Sequence, residues 1–185
     1  MKNFKSSLLL ISVVIIFFSS CKSPEDKLVA QINKFEKEFA NDSLNIPERE
    51  RVVELVDLYA KFAETYPDNT KSPGYMFSAG TYCMSYNLSA RAIAFFDTII
   101  VKYPTYEKHP DSYFLKAFVY DTQLSNLPNA RKAYEELIEK YPNHELAIQA
   151  KALLNLLGKD LGTIIEEFEI QNGMAKDSLL SATKD

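Results

Sequence analysis

Apolar residues recur along this chain at the three- and four-residue spacing of an α-helix, in runs separated by polar clusters and prolines. Leu28, Ile32, Phe35 and Phe39 make one stripe, and Val52, Leu55, Tyr59, Phe62 and Tyr66 make the next. Ala92, Phe96, Ile99 and Tyr103 repeat that second pattern, and Ala130, Tyr134, Leu137 and Tyr141 repeat it again. These last three stripes each end on a Tyr-Pro dipeptide: Tyr66-Pro67, Tyr103-Pro104 and Tyr141-Pro142, 37 and then 38 residues apart. Proline lacks the amide hydrogen a helix needs and pushes the residue before it out of helical geometry, so each pair marks a helix end. A fixed period of this size is the mark of a helical repeat array.

The spacing predicts eight helices, over 24–40, 48–66, 73–86, 90–103, 111–124, 128–141, 144–157 and 162–171, paired as four antiparallel hairpins. A longer polar loop, 41–46, falls inside the first pair. Ser23-Pro24 and Ser72-Pro73 set a capping hydroxyl before a proline at the first helical position. His109-Pro110 and Leu127-Pro128 put proline in the same role with a poorer cap. Asn143 is placed to cap the seventh helix, and Gly158 to end it in the left-handed conformation. Glu166, Glu167 and Glu169 fit the exposed face of a closing helix built around Ile164, Ile165 and Phe168.

Composition agrees with an all-helical chain. Among 185 residues there are only five glycines and eight prolines, and the prolines sit at element boundaries. The first 20 residues read as a leader: basic Lys2 and Lys5, an apolar run from Leu8 to Phe18, then Ser19-Ser20-Cys21. Without that leader 19 basic residues face 25 acidic ones, a net charge of −6, which argues against nucleic acid and against a polybasic grip on anionic lipid. The expected organisation is a signal peptide over 1–20, a repeat domain over 21–173 and a disordered tail over 174–185.

Candidate chemistry is sparse. Cys83 lies within an apolar helical pattern and reads as a small buried hydrophobe. His109 and His144 lie beside turns, without a second histidine or cysteine at metal-ligand spacing, and read as capping or solvent-facing. The chain has no glycine-rich phosphate loop and no nucleophile elbow. No catalytic residue, metal ligand or cofactor is expected. A small-ligand receptor or minor enzyme is the alternative from another class.

Two resemblances follow from these residues. Cys21 after the apolar run resembles the lipobox of bacterial lipoproteins, with Phe18 where Leu, Ile or Val is usual; this implies a lipid-modified Cys21. Lys22 in place of Asp then favours the outer membrane, and Glu25-Asp26 loosely resembles a surface-export signal, so either face stays open. In the repeats, a small or apolar residue, an aromatic, an apolar residue and Pro recur at offsets 0, 4, 7 and 12: Leu55, Tyr59, Phe62, Pro67; Ala92, Phe96, Ile99, Pro104; Ala130, Tyr134, Leu137, Pro142. This resembles the second helix of a tetratricopeptide repeat, with Gly80 and Ala117 as the small residues of first helices. The chain departs from that pattern in having no Trp, in Cys83 where an aromatic is usual, and in a period longer than 34.

The resemblance implies an all-α, tetratricopeptide-like helical-hairpin solenoid of about three repeats and a partial fourth hairpin. It implies a partner-binding groove at Phe77, Thr81, Met84 and Ser85, then Phe114, Phe118, Asp121 and Thr122, although Phe114 and Phe118 could equally pack neighbouring hairpins. Together with the lipobox and the stretch from Lys140 to Ala147, it is similar to the BamD-like envelope lipoproteins that assemble outer-membrane β-barrels. It therefore implies a non-catalytic, membrane-tethered scaffold for other envelope proteins or peptides. A Tol-Pal and cell-wall coordination role of the CpoB type is the second reading.

Overall fold

A computed structural model of the chain describes residues 23–41 and 46–182. The expected leader, Cys21 and Lys22 lie outside the described residues, as do most of the 41–46 loop and residues 183–185. Eight helices, and no strand, occur among the described residues: α1 (Pro24–Asn41), α2 (Arg49–Thr65), α3 (Ser72–Ser85), α4 (Ser89–Lys102), α5 (His109–Thr122), α6 (Leu127–Lys140), α7 (Glu145–Leu156) and α8 (Leu161–Ala182). The all-α hairpin architecture expected from the periodicity is present. The chain forms two compact units that divide within α3, one ending at Ala79 and the other beginning at Gly80.

The three Tyr-Pro turns share one backbone. Tyr66, Tyr103 and Tyr141 have φ of −127°, −126° and −133°, with ψ of 62°, 58° and 56°. Each amide closes the preceding helix on the carbonyl four residues back: Phe62, Ile99 or Leu137. Each carbonyl then accepts from the residue three further on, Asn69, Tyr106 or His144. The amide six residues past each tyrosine bonds back in turn, and these residues, Ser72, His109 and Ala147, are all buried. One turn has been built three times, so the sequence period is a structural period.

The turns inside the hairpins of the second unit are of another kind. Asn87, Ser125 and Gly158 take φ of +55°, +48° and +78°, the left-handed conformation that reverses a helix end. Gly158 was expected there. Asn tolerates the conformation, whereas Ser125 carries its steric cost.

The core follows the repeat offsets. Leu55, Tyr59, Phe62, Ala92, Phe96, Ile99, Ala130, Tyr134 and Leu137 are each at most 1% exposed. In the first unit the Tyr75 ring stacks on Tyr59 at 5.1 Å and meets Phe62 edge-on at 4.9 Å. Leu28 and Ile32 bury the α1 stripe, while half-buried Phe35 lies under the Arg51 guanidinium at 4.2 Å. In the second unit α3 and α4 touch where Gly80 has no side chain: a Cβ there would lie 2.7 Å from Phe96 Cε1. Cys83 is buried, as its pattern suggested. Tyr113, Ala117, Ala130, Ala133, Tyr134, Leu137 and Ala150 form the cluster that joins α5, α6 and α7.

Several caps differ from expectation. Ser23 does cap α1: its Oγ accepts from Asp26 N at 3.0 Å while Asp26 Oδ2 accepts from Ser23 N at 3.3 Å, a reciprocal box. Ser72 does not cap α3; it is that helix's first residue, and its buried hydroxyl donates to the Tyr66 carbonyl at 2.6 Å. The cap of α6 is Asn126, whose side chain accepts from Asn129 N at 3.3 Å. For α7 the cap is His144, not Asn143, with Nδ1 accepting from Leu146 N at 3.2 Å. The register of the Tyr-Pro turn decides this, because its last bend places residue 144 at the helix mouth.

α8 departs most. It runs to Ala182 instead of ending at 171, so residues 174–182, expected as a disordered tail, are helical. Met, Ala, Lys and Leu are strong helix formers, and the single Gly173 costs only about 1 kcal/mol. Nor does the expected stripe close a core: Ile164 is half-buried, but Phe168 is 65% exposed and Ile165 is exposed beside it. No helix among the described residues is long and apolar enough to cross a membrane.

Candidate partner-binding surface

The expected groove residues fall at helical spacing on two helices. Phe77 is half-buried on the part of α3 that belongs to the first unit. Thr81, Met84 and Ser85 follow on the same helix in the second unit, half-buried except for exposed Ser85. Ser85 Oγ turns back onto the Thr81 carbonyl at 3.0 Å, and Thr122 Oγ1 onto the Phe118 carbonyl at 2.8 Å. Both hydroxyls are thereby partly satisfied within their own helices.

On α5, Phe114 and Phe118 part company. Phe114 packs edge-to-face on Tyr134 at 5.8 Å and belongs to the hairpin core. Phe118 is 36% exposed. Asp121, one turn further on, is half-buried, and burial holds its carboxyl above the ordinary carboxylate range.

Gln123 joins the α3 and α5 parts of this surface, and nothing in the repeat pattern singled it out. Its Nε2 donates to the Met84 carbonyl at 2.7 Å, and its Oε1 accepts from Ser89 Oγ at 2.7 Å. One amide side chain thus ties the end of α3 to the start of α4 from the end of α5. Thr81, Met84, Phe118, Asp121 and Thr122 are therefore held in one unit on helices with a fixed register. An amphipathic surface of this kind, apolar rings beside polar groups, can take an extended segment or a helix.

His109 is the second residue whose role the sequence concealed. It is buried, neither capping nor facing solvent. Nε2 lies 3.1 Å from the Ile100 carbonyl, which can only accept, so Nε2 carries the proton. Nδ1 then accepts from the Tyr141 hydroxyl. The ring therefore links the second Tyr-Pro turn to the third. Tyr113 completes the cluster edge-on to His109 at 5.3 Å, with the Lys140 ammonium 3.4 Å from its hydroxyl. Its place six residues after Tyr103, matching Ser72 after Tyr66, was the available signal.

The acidic pair near the start of the described chain is engaged in the fold. Asp26 closes the α1 capping box, and Glu25 accepts from Asn69 Nδ2 at 2.7 Å, joining α1 to the first Tyr-Pro turn. Between α1 and α2 lies an open recess of about 510 Å³, lined by Phe35, Leu58, Lys34, Lys61, Glu54, Asp57 and Gln31, a lining of mixed sign that selects no charge. No three His, Cys, Asp or Glu side chains among the described residues gather as a metal site would require.

These features define a protein of helical-hairpin repeats whose accessible surface is suited to holding another polypeptide. Residues 111–144, comprising most of α5, the whole of α6 and the third Tyr-Pro turn, match the family model described as tetratricopeptide repeat. No curated protein matches the chain. Tetratricopeptide repeats generally mediate protein–protein interaction and are typically non-catalytic.

Proposed function

We propose that this protein is a non-catalytic interaction scaffold, tethered to the bacterial outer membrane through lipid on Cys21, that recruits envelope proteins for outer-membrane protein assembly. The observation that carries the reading is the succession of hairpins ended by one repeated Tyr-Pro turn, one of them matched as a tetratricopeptide repeat. A single hairpin cannot bury its apolar face alone, and stacked hairpins leave a long side surface open to partners. The resemblance of residues 18–21 to a lipobox supports the tether, and several acyl chains at about 0.8 kcal/mol per buried methylene hold a protein firmly.

Cross-linking in cells followed by capture of the full chain tests the reading. Barrel-assembly components are the expected catch, lost when Phe77 and Met84 are changed to Ala. A catch indifferent to those changes removes the groove from the proposal. Recovery of Tol-Pal or peptidoglycan enzymes instead selects cell-wall coordination. Cys21→Ala is expected to release the protein from the membrane fraction; unaltered association overturns the lipid anchor.

A further inference from the structure

Two apolar stripes of the second unit are left bare, and they lie on successive helices. In α7, Ala147 and Ala150 are buried, and Ala150 joins the cluster with α5 and α6. Ile148, Ala152 and Leu156, spaced by four, come out on the opposite side, with Ile148 64% exposed. In α8, Leu161, Ile165 and Phe168 share one side and are all exposed, Leu161 to 72%. Most of a helix's stability in a protein comes from packing such a stripe. Residues 157–160 would let α8 fold back on α7, as 123–126 do for α5 and α6, yet both stripes stay uncovered.

The bordering charges narrow what can cover them. Glu166, Glu167 and Glu169 are exposed on α8, so an anionic membrane surface repels it. Two α8 helices laid stripe to stripe would bring their Glu169 side chains, one turn from Ile165, together along the seam. α7 offers the opposite sign. Exposed Lys151 borders Ile148 from the next turn, while Glu145 sits in the first turn, where the helix dipole favours it. We infer that two copies of this chain pair by exchanging α8, the stripe of each lying on the α7 stripe of the other with Glu169 toward Lys151. Each copy supplies one helix and receives one, so the interface is isologous and closes at two chains. Burying the six side chains removes about 600 Å² of apolar surface per copy, which with its polar border approaches the ~800 Å² per partner of a stable interface. The pairing goes beyond the scaffold reading and does not depend on it.

The test expresses two differently tagged copies of the full chain together in cells and oxidises them mildly. One copy carries Ile148→Cys or Leu156→Cys, the other Leu161→Cys, Ile165→Cys or Phe168→Cys, all at exposed positions. A disulfide dimer joining the two tags is expected in at least one pairing, and not between copies that keep only Cys21 and Cys83. Adding Phe168→Glu to both copies of a pairing that spares Phe168 should cut its yield about tenfold, because a charge enters the centre of the seam. Lys151→Glu should lower it severalfold, and Glu169→Lys in the same chain should restore it. No mixed dimer in any pairing overturns the inference. A bond confined to one chain that carries both Ile148→Cys and Ile165→Cys overturns it too, since α8 has then folded back on its own α7. Ile165→Cys copies that cross-link to each other as readily as the mixed pair place α8 on α8 and contradict the exchange. Cross-links to other proteins in place of the second copy contradict it as well.

Discussion

Tyr59 in the first unit and Tyr134 in the second hold the same place in their repeats, four residues after Leu55 and Ala130. Both rings are buried to within 1%. Their hydroxyls differ. That of Tyr59 donates to Glu36 Oε1 at 2.7 Å, reaching across to α1, whereas that of Tyr134 has no partner. The hairpin between them avoids the question with Phe96, whose ring lies against the bare backbone of Gly80. The repeat pattern specifies an aromatic ring at this position because the core needs its volume. What the hydroxyl does is set by the neighbouring helix, and so it varies from hairpin to hairpin.

If the ring and the hydroxyl are separable in this way, truncating either ring should cost about the same. Tyr59→Ala and Tyr134→Ala are each expected to lose about 3–5 kcal/mol, read by urea unfolding, because cavity formation dominates. A loss much smaller at Tyr134 would mean that its hairpin is loosely packed. A smaller effect is expected at the junction of two turns. His109→Ala strands the Ile100 carbonyl and the Tyr141 hydroxyl, at a cost of about 1–3 kcal/mol. His109→Gln, which can still donate and accept, should recover part of it. No recovery would show that the ring packs and does not link.

The differences between sequence expectation and structure fall along the same line. Helix positions and core residues were legible because burial repeats at helical spacing and Pro marks each end. Gly80 was legible because only a residue without Cβ fits against Phe96. His109 was not, since a histidine beside a proline reads as surface until its register after Tyr103 is set against Ser72 after Tyr66. Gln123 and the unpaired Asp121 and Tyr134 were illegible for a stricter reason: their roles depend on which polar atoms meet across helices, and periodicity carries no information about that. The turn at Ser125 was hidden because a left-handed residue is signalled by Gly or Asn, and here neither is present.

That turn offers a gain instead of a loss. Ser125→Gly relieves the left-handed strain and should stabilise the second unit by about 0.5–1 kcal/mol, seen as a raised unfolding midpoint with the first unit unchanged. No gain would mean that the turn's hydrogen bonds already offset the strain. The smallest effect belongs to α8. Hydrogen bonds from the Thr163 hydroxyl and amide hold the Asp160 carboxyl below its ordinary range. Its contribution to the helix start is whole above the carboxyl's unfolded range and lost as pH falls through the lowered folded value. Protection of the Thr163 and Ile164 amides, taken relative to their intrinsic exchange rates, should therefore fall only in acid, and Asp160→Ala should remove that dependence. Protection that does not change with pH in the native chain would place the cap elsewhere.

The comparison is tested most directly by removing the two hydroxyls in parallel and measuring each variant's urea midpoint. Tyr59→Phe should lose about 1–2 kcal/mol, since it takes a hydrogen bond from a carboxylate. Tyr134→Phe should lose nothing or gain up to about 1 kcal/mol, since it removes a buried group that has no partner. Equal losses at the two positions would contradict the claim that one hydroxyl is closed within the fold and the other left open.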